Sequence, residues 1–299
     1  MVSGHIELCD FSVKYRKDLE PALKDINLTV RPGEKIGIVG RTGSGKSTLA
    51  KSLFRLAGPH TKGNILIDGQ DISAMGVGDL RPCLGIIPQE ASMFGGSFKR
   101  NLDPLYQYSI EDIWAVLIKC KVAEKVLPKT NGESGRGYDD DYYNQEYEEE
   151  LEAATRRWNH AGWAMRLALL LLVEKPQVPK KRRVCRHGLN RKVDGSSSFS
   201  NGEQQLFSLC RLLMRKRRII ILDEATAEVD LETDGEVQRL IHDEFSHCTI
   251  LTIAHRLETI MNSDRIVVLD KGRIVEVGPP QQLIERGGHF AHLVKTNEF

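Results

Sequence analysis

A chain of 299 residues, 40% apolar and 28% charged, holds enough material for a sizeable core, in one large or two small domains. A net charge of +1 supplies no global basic field, which argues against a general nucleic-acid binder. Six scattered cysteines without a C-x-x-C pair argue against a disulfide framework or a zinc site and for a reduced compartment.

In chain order, residues 6–8, 11–13 and 26–30 alternate apolar and polar and read as strands, with turns at Lys17-Asp18 and Arg31-Pro32-Gly33. A strand so near the start leaves no room for a signal peptide. An apolar strand over 35–39 runs into Gly40, Arg41, Thr42, Gly43, Ser44, Gly45, Lys46 and Ser47, a full match to G-x-x-x-x-G-K-[ST] in its strand–loop–helix setting. The glycines let consecutive N–H groups turn inward on an anion, and a helix opening at Lys46 adds its positive dipole end. Lys46 would reach the β- and γ-phosphates of a nucleoside triphosphate, and the Ser47 hydroxyl would ligate Mg²⁺. The helix is expected over 46–56, burying Leu49, Leu53, Phe54 and Leu56.

Further strands are expected at 64–67, 84–87, 219–222, 249–253, 265–269 and 273–277, and helices at 110–120, 203–213 and 233–245. Mixed strands followed by alternating strand and helix describe an α/β core with an antiparallel β layer attached. Residues 128–198 break this order. Residues 138–152 carry eight acidic and no basic side chains, and residues 175–192 eight basic and no acidic ones, so the stretch reads as a charged, partly disordered surface insertion. Within it, 161–173 is the longest apolar run; interrupted by Arg166, it falls short of the ~20 residues of a spanning helix.

Four aliphatic residues, Ile219 to Leu222, end in Asp223 and Glu224. So apolar a run is a buried parallel-type strand, and its acids emerge at the carboxyl end, where open α/β sheets bind ligands. Asp223 suits a holder of Mg²⁺, and Glu224 suits the residue that orients and polarises the attacking water. Ser200, followed by Gly202 and Glu203, opens an amphipathic helix; capping alone would explain it, and a γ-phosphate sensor equally so. His255 ends the 249–254 strand, and Gln89 ends another with an amide oxygen able to ligate Mg²⁺ or water.

The order of these elements resembles the ATP-binding cassette family. In its terms Gly40–Ser47 is the Walker A loop, Gln89 the Q-loop, Ser200–Gln204 the signature, Ile219–Glu224 the Walker B strand, Ala227-Glu228-Val229-Asp230 the D-loop and His255 the switch histidine. Tyr15 matches the aromatic residue that stacks on adenine. Lys14 to Leu19, Ile86-Ile87-Pro88-Gln89, Asn101-Leu102-Asp103-Pro104 and Leu222 to Asp234 are most similar to the C-terminal cassette of the C subfamily, the multidrug-resistance-associated exporters and their channel-like relatives. The resemblance covers about 5–127 and 196–298.

It implies a P-loop NTPase core with an antiparallel β subdomain and an α-helical subdomain. One cassette would fill 1–299, its core and β subdomain in 1–88 and 215–299, its helical subdomain in 89–214 with the insertion 128–198. It implies ATP and Mg²⁺ as ligands. Tyr15, Gly40 to Thr48, Gln89, Ser200, Gly202 and Asp230 would contact nucleotide, Ser47, Gln89 and Asp223 would contact metal, and Lys46, Glu224 and His255 would be catalytic. It implies head-to-tail dimerisation with a second cassette, each ATP lying between one chain's Walker motifs and the other's signature. Transmembrane helices on another chain or upstream would place the chain at the cytoplasmic face of a membrane. A C-terminal fragment of a longer transporter fits a strand-like start almost at Met1.

Two departures stand out. Glu203 occupies the place of the signature's glutamine and sets a carboxylate near a polyanion. Gln89 and Ser200 lie 111 residues apart, some tens more than the family pattern. The rival readings are a non-catalytic ATP-binding regulatory module and a soluble, non-transport ATPase of the same family. A chromosome-maintenance ATPase would carry a long heptad repeat within 128–198, and none is present.

Overall fold

The computed structural model describes residues 3–89, 91–126, 189–193, 199–223, 231–253 and 257–296. Strands β1 (Ile6–Lys14), β2 (Leu23–Val30) and β3 (Lys35–Val39) precede helix α1 (Lys46–Leu53). Then follow β4 (His60–Ile67), β5 (Gln70–Asp71), α2 (Val77–Leu80), a 3-10 turn at Arg81–Cys83, and β6 (Leu84–Ile87). Next come β7 (Gly96–Ser97), α3 (Phe98–Leu102), α4 (Ile110–Lys119), α5 (Ala123–Val126) and β8 (Lys192–Val193). The last stretch holds α6 (Asn201–Arg215), β9 (Ile219–Asp223), α7 (Leu231–Glu244), β10 (Thr249–Ile253), α8 (Leu257–Met261), β11 (Arg265–Asp270), β12 (Arg273–Gly278), α9 (Pro280–Arg286) and α10 (His289–Thr296). Two compact units result, one within Met1–Ala91 and Phe199–Phe299, the other within Ser92–Ser198.

The first unit is the mixed α/β architecture expected from the sequence. A six-stranded sheet has the order β12-β11-β3-β10-β9-β6, with every neighbouring pair parallel except β11–β12. An antiparallel sheet, β2-β1-β4-β5, packs beside it. The continuous apolar runs of β3, β9 and β10 are buried, as central parallel strands require. One core cluster joins the antiparallel sheet, α1 and the parallel strands through Ile26, Leu49, Leu53, Ile221 and Leu251. A second lies under α8, α9 and α10, around Ile260, Leu283, Phe290 and Leu293. Burying side chains like these contributes about 1.5–3 kcal/mol each, which fixes the sheet that carries the site. Helix α6, read from sequence with the helical subdomain, belongs to this unit and packs on β6, where Leu212 fills the space a Cβ on Gly85 would occupy.

Three local expectations need correction. Helix α1 stops at Leu53, and Leu56, expected on its buried face, is 58% exposed. Arg55 adopts φ +53°, its N–H bonds to Ser52 O at 3.0 Å, and Leu56 N–H bonds to Lys51 O at 2.8 Å. This Schellman closure turns the chain away from the helix axis. Strand β4 begins at His60, four residues earlier than expected, because Gly63 at φ +68° lets it cross the irregularity in β1 around Asp10. Strand β6 ends at Ile87, so Gln89 is an exposed residue two places beyond it.

In the second unit, α4 starts at a full capping box in which Ser109 and Asp112 bond each other's backbone N–H. Asn101 exchanges two hydrogen bonds with the backbone of Phe94, and Asp103 accepts from the N–H groups of Gln107 and Tyr108. From within the expected insertion, β8 pairs with β7 and the Arg191 guanidinium lies over the Phe98 ring at 5.0 Å. The acidic block and the apolar run at 161–173 lie outside the described residues, as does most of the basic block. Among the described residues, no helix is long and apolar enough to cross a membrane.

Candidate functional site

The phosphate-loop sequence forms a loop shaped by the absence of side chains. Gly40 has φ +150°, and a Cβ there would stand 2.2 Å from Leu269 O and 2.6 Å from Ser44 Oγ. Gly45 has φ +111°, and its Cβ would stand 2.8 Å from Leu23 Cδ2 and 3.0 Å from Ala22 O. Glycine is therefore needed twice, for conformation and for space. The turn is closed by Ser44 N–H on Arg41 O at 3.0 Å, and Gly272 N–H donates to Ser44 O at 2.9 Å. Arg41, Thr42 and Gly43 stand exposed on the outer rim.

Helix α1 starts from Gly45 with no side-chain cap and no acidic residue in its first turn, which suits that end to an anion. Lys46 is only 6% exposed, and its ammonium donates to Gly40 O, closing the loop across its mouth. Ser47 and Thr48 are half-buried in the first turn, and the Thr48 hydroxyl lies 3.2 Å from the Tyr15 hydroxyl. Tyr15 itself is 43% exposed, leaving ring surface accessible beside α1. Ser44 Oγ is buried with no hydrogen-bond partner among the described residues. A loop with glycine at 40, 43 and 45, a buried ammonium and an unsatisfied hydroxyl together fit a phosphate chain.

Sheet register fixes what else reaches this edge. Ile38 of β3 is level with Ile253 of β10, which is level with Asp223 of β9; Leu222 is level with Ile87 of β6. The carboxyl ends of four parallel strands thus line one edge, each ~5 Å from the next. The loop, Asp223 at the tip of β9, and Gln89 beyond β6 all lie along it. Hydroxyl, carboxylate and amide oxygens form a hard-oxygen set that fits Mg²⁺. Glu224, Asp230 and His255 lie outside the described residues.

Ser200 caps α6. Its Oγ accepts from Glu203 N–H at 3.2 Å, and the Glu203 carboxylate accepts from Ser200 N–H at 2.9 Å. Both the capping explanation and the charge expected from the sequence are therefore present in one motif. Gly202 is half-buried in the same turn. Away from the site, Arg265 forks onto Glu34 at 2.6 and 2.8 Å. Burial pulls the Glu34 carboxyl upward, but the Arg265 hydrogen bonds, the Arg31 N–H and both positive charges outweigh it and hold it below its ordinary value.

Three residues that place the site were missed from the sequence. Gly58 abuts Tyr15, where a Cβ would come within 2.4 Å of Lys14 O and 2.6 Å of Tyr15 Cα. Gly272 braces the phosphate loop. Gln205 of α6 is buried, and its amide donates to the carbonyls of Pro88 and Gln89 at 3.3 and 2.9 Å. The signal for Gln205 was a polar residue four and seven places before Leu209 and Leu212, on the apolar face.

Residues 23–227 match the ABC transporter family. ATP-binding cassette sub-family C member 2 of Rattus norvegicus is 39% identical over 292 residues, covering 98% of this chain and 15% of that protein. ABC transporter C family MRP4 of Zea mays is 38% identical over 293 residues, covering 98% and 16%. The chain thus spans about a sixth of the length of these curated relatives. A solved bacterial Atm1-family ABC exporter with ATP bound aligns with a TM-score of 0.72 at 26% identity, covering 98% of this chain and 42% of that one. On the family match, the sub-family C relatives and the fold alike, the chain belongs to the ABC transporter family.

Proposed function

We propose that this chain is an ATP-hydrolysing cassette that energises a membrane exporter by ATP-driven head-to-tail dimerisation with a second cassette. The observation that carries the reading is the Gly40–Ser47 loop, whose glycines at 40 and 45 stand where no Cβ fits, on the same sheet edge as Asp223. Tyr15 would stack on adenine. The N–H groups of Gly43 to Thr48 would hold the phosphate oxygens, and Lys46 would turn from Gly40 O to the β- and γ-phosphates. Ser47, Gln89 and Asp223 would hold Mg²⁺, which neutralises charge on the phosphates when bound. Glu224 would polarise the attacking water, and His255 would contact the γ-phosphate. The partner's Ser-x-Gly would close this site, and Ser200 and Gly202 would close the partner's. Transmembrane helices elsewhere would read the exported molecule and tie the cassette to the cytoplasmic face of a membrane.

One feature favours a weaker catalyst: the carboxylate of Glu203 sits where the partner's ATP would dock. A non-catalytic regulatory module is the second reading. ATP turnover measured with and without a candidate partner cassette separates the two. Glu224→Gln is expected to abolish turnover and leave ATP binding intact; undiminished hydrolysis in that variant refutes the assignment.

A further inference from the structure

Gln205 has no role in the reading above, yet it is costly to place. It is 6% exposed, so its rotamer freedom is lost. Its Oε1 is buried with no hydrogen-bond partner among the described residues. A leucine would fill a helix face at a smaller rotamer cost and with no polar atom to bury. What the amide achieves is specific: its Nε2 donates at 3.3 Å to Pro88 O and at 2.9 Å to Gln89 O. Those two carbonyls belong to the turn leaving β6, whose own strand pairing has ended at Ile87. Gln89 is exposed there, its backbone held from α6, which also carries Ser200 and Gly202.

We infer that Gln205 is a positioning residue: it fixes the backbone of Gln89 so that the Gln89 amide oxygen is presented to a divalent cation, and it couples that presentation to the signature helix. The inference rests on Gln89 being a Mg²⁺ ligand. The Gln205 amide donates to two successive carbonyls, which restrains the backbone at Gln89 against rotation. Without that restraint Gln89 samples more conformers, and the entropy of ordering it falls on each Mg²⁺ bound.

The test is the Mg²⁺ concentration that gives half of the full ATP-induced rise in melting temperature, at saturating ATP, for the whole chain and for Gln89→Ala, Gln205→Met and Gln205→Glu. ATP affinity in EDTA is measured alongside. Gln205→Met is expected to raise the Mg²⁺ requirement about tenfold, as loss of an outer-sphere support does, with unchanged ATP affinity in EDTA. Gln205→Glu, whose carboxylate faces two carbonyls, is expected to do the same, and it serves should the Met variant not fold. If Gln89→Ala shifts the requirement and neither Gln205 variant does, the positioning role is wrong and the Mg²⁺ assignment stands. If Gln89→Ala shifts nothing, Gln89 is not a ligand, and both fall.

Discussion

Exchanging Glu203 for Gln removes one negative charge from the first turn of α6 while keeping a carbonyl oxygen for Ser200 N–H, now 2.9 Å from the carboxylate. In the isolated chain the lost charge–dipole attraction is worth about 0.3–1 kcal/mol, a fall of about 1–4 °C in melting temperature. At the proposed interface the sign reverses. A phosphate docked on this helix end would stand ~7 Å from the carboxylate, and at an effective dielectric of 20–80 the repulsion is about 0.6–2.4 kcal/mol per unit charge. A homodimer of the Glu224→Gln chain contains that juxtaposition twice. Taking ~1 kcal/mol per site, Glu203→Gln should tighten the ATP-dependent dimer by about 2 kcal/mol, or about thirtyfold in Kd. Sedimentation equilibrium of the single and double variants with ATP and Mg²⁺ at low salt measures this, and the gain should shrink in ~1 M salt. A dimer unchanged within about threefold, or a weaker one, would show that the carboxylate does not face nucleotide.

Gly40→Ala should cost at least about 3 kcal/mol by thermal unfolding, since its Cβ meets Leu269 O at 2.2 Å. Gly43→Ala, at φ +81° with nothing within 4 Å, should cost only about 1–2 kcal/mol, and the reverse ranking refutes the steric account. Tyr15→Leu should weaken ATP binding about two- to tenfold in calorimetric titration and Tyr15→Trp should not, if the ring stacks on adenine. Glu34 is held below its ordinary value of 4.5, so the stability it adds is present above that pH and is lost as pH falls through its lower folded value. Arg265→Ala should therefore cost about 1–2 kcal/mol at pH 7 in denaturant unfolding, with the gap to the parent closing in that acid window; a gap independent of pH excludes the pair as its source.

Much of the fold was legible because its signals are local. The aliphatic runs of β9 and β10 are buried on both faces, so composition alone assigns them to the middle of a parallel sheet. The phosphate loop and the Ser200 cap are likewise written in consecutive residues. What escaped depends on distant partners. The end of α1 is set by Arg55, a non-glycine residue at φ +53° that also reaches Ile72 O and Met75 O with its guanidinium. The early start of β4 follows from Gly63 crossing strand β1, which no pattern within residues 60–67 announces. Gln205 and Gly58 act on backbone 116 and 43 positions away, so each reads alone as an ordinary helix residue or a loop glycine.

Gly272 gives the phosphate loop a footing outside its own chain segment. Its N–H holds Ser44 O at 2.9 Å and its carbonyl accepts Lys24 N–H at 2.7 Å, so the loop, the start of β2 and the β11–β12 hairpin meet at one residue. A Cβ at that point would stand 2.7 Å from Ala22 O. Mechanically this is a bearing rather than a hinge: force applied to the loop passes into two sheets at once instead of being absorbed by local bending. Stiffness at the nucleotide's phosphates is therefore a property of the joint between the sheets, and softening that joint should loosen the loop with every one of its own residues left in place.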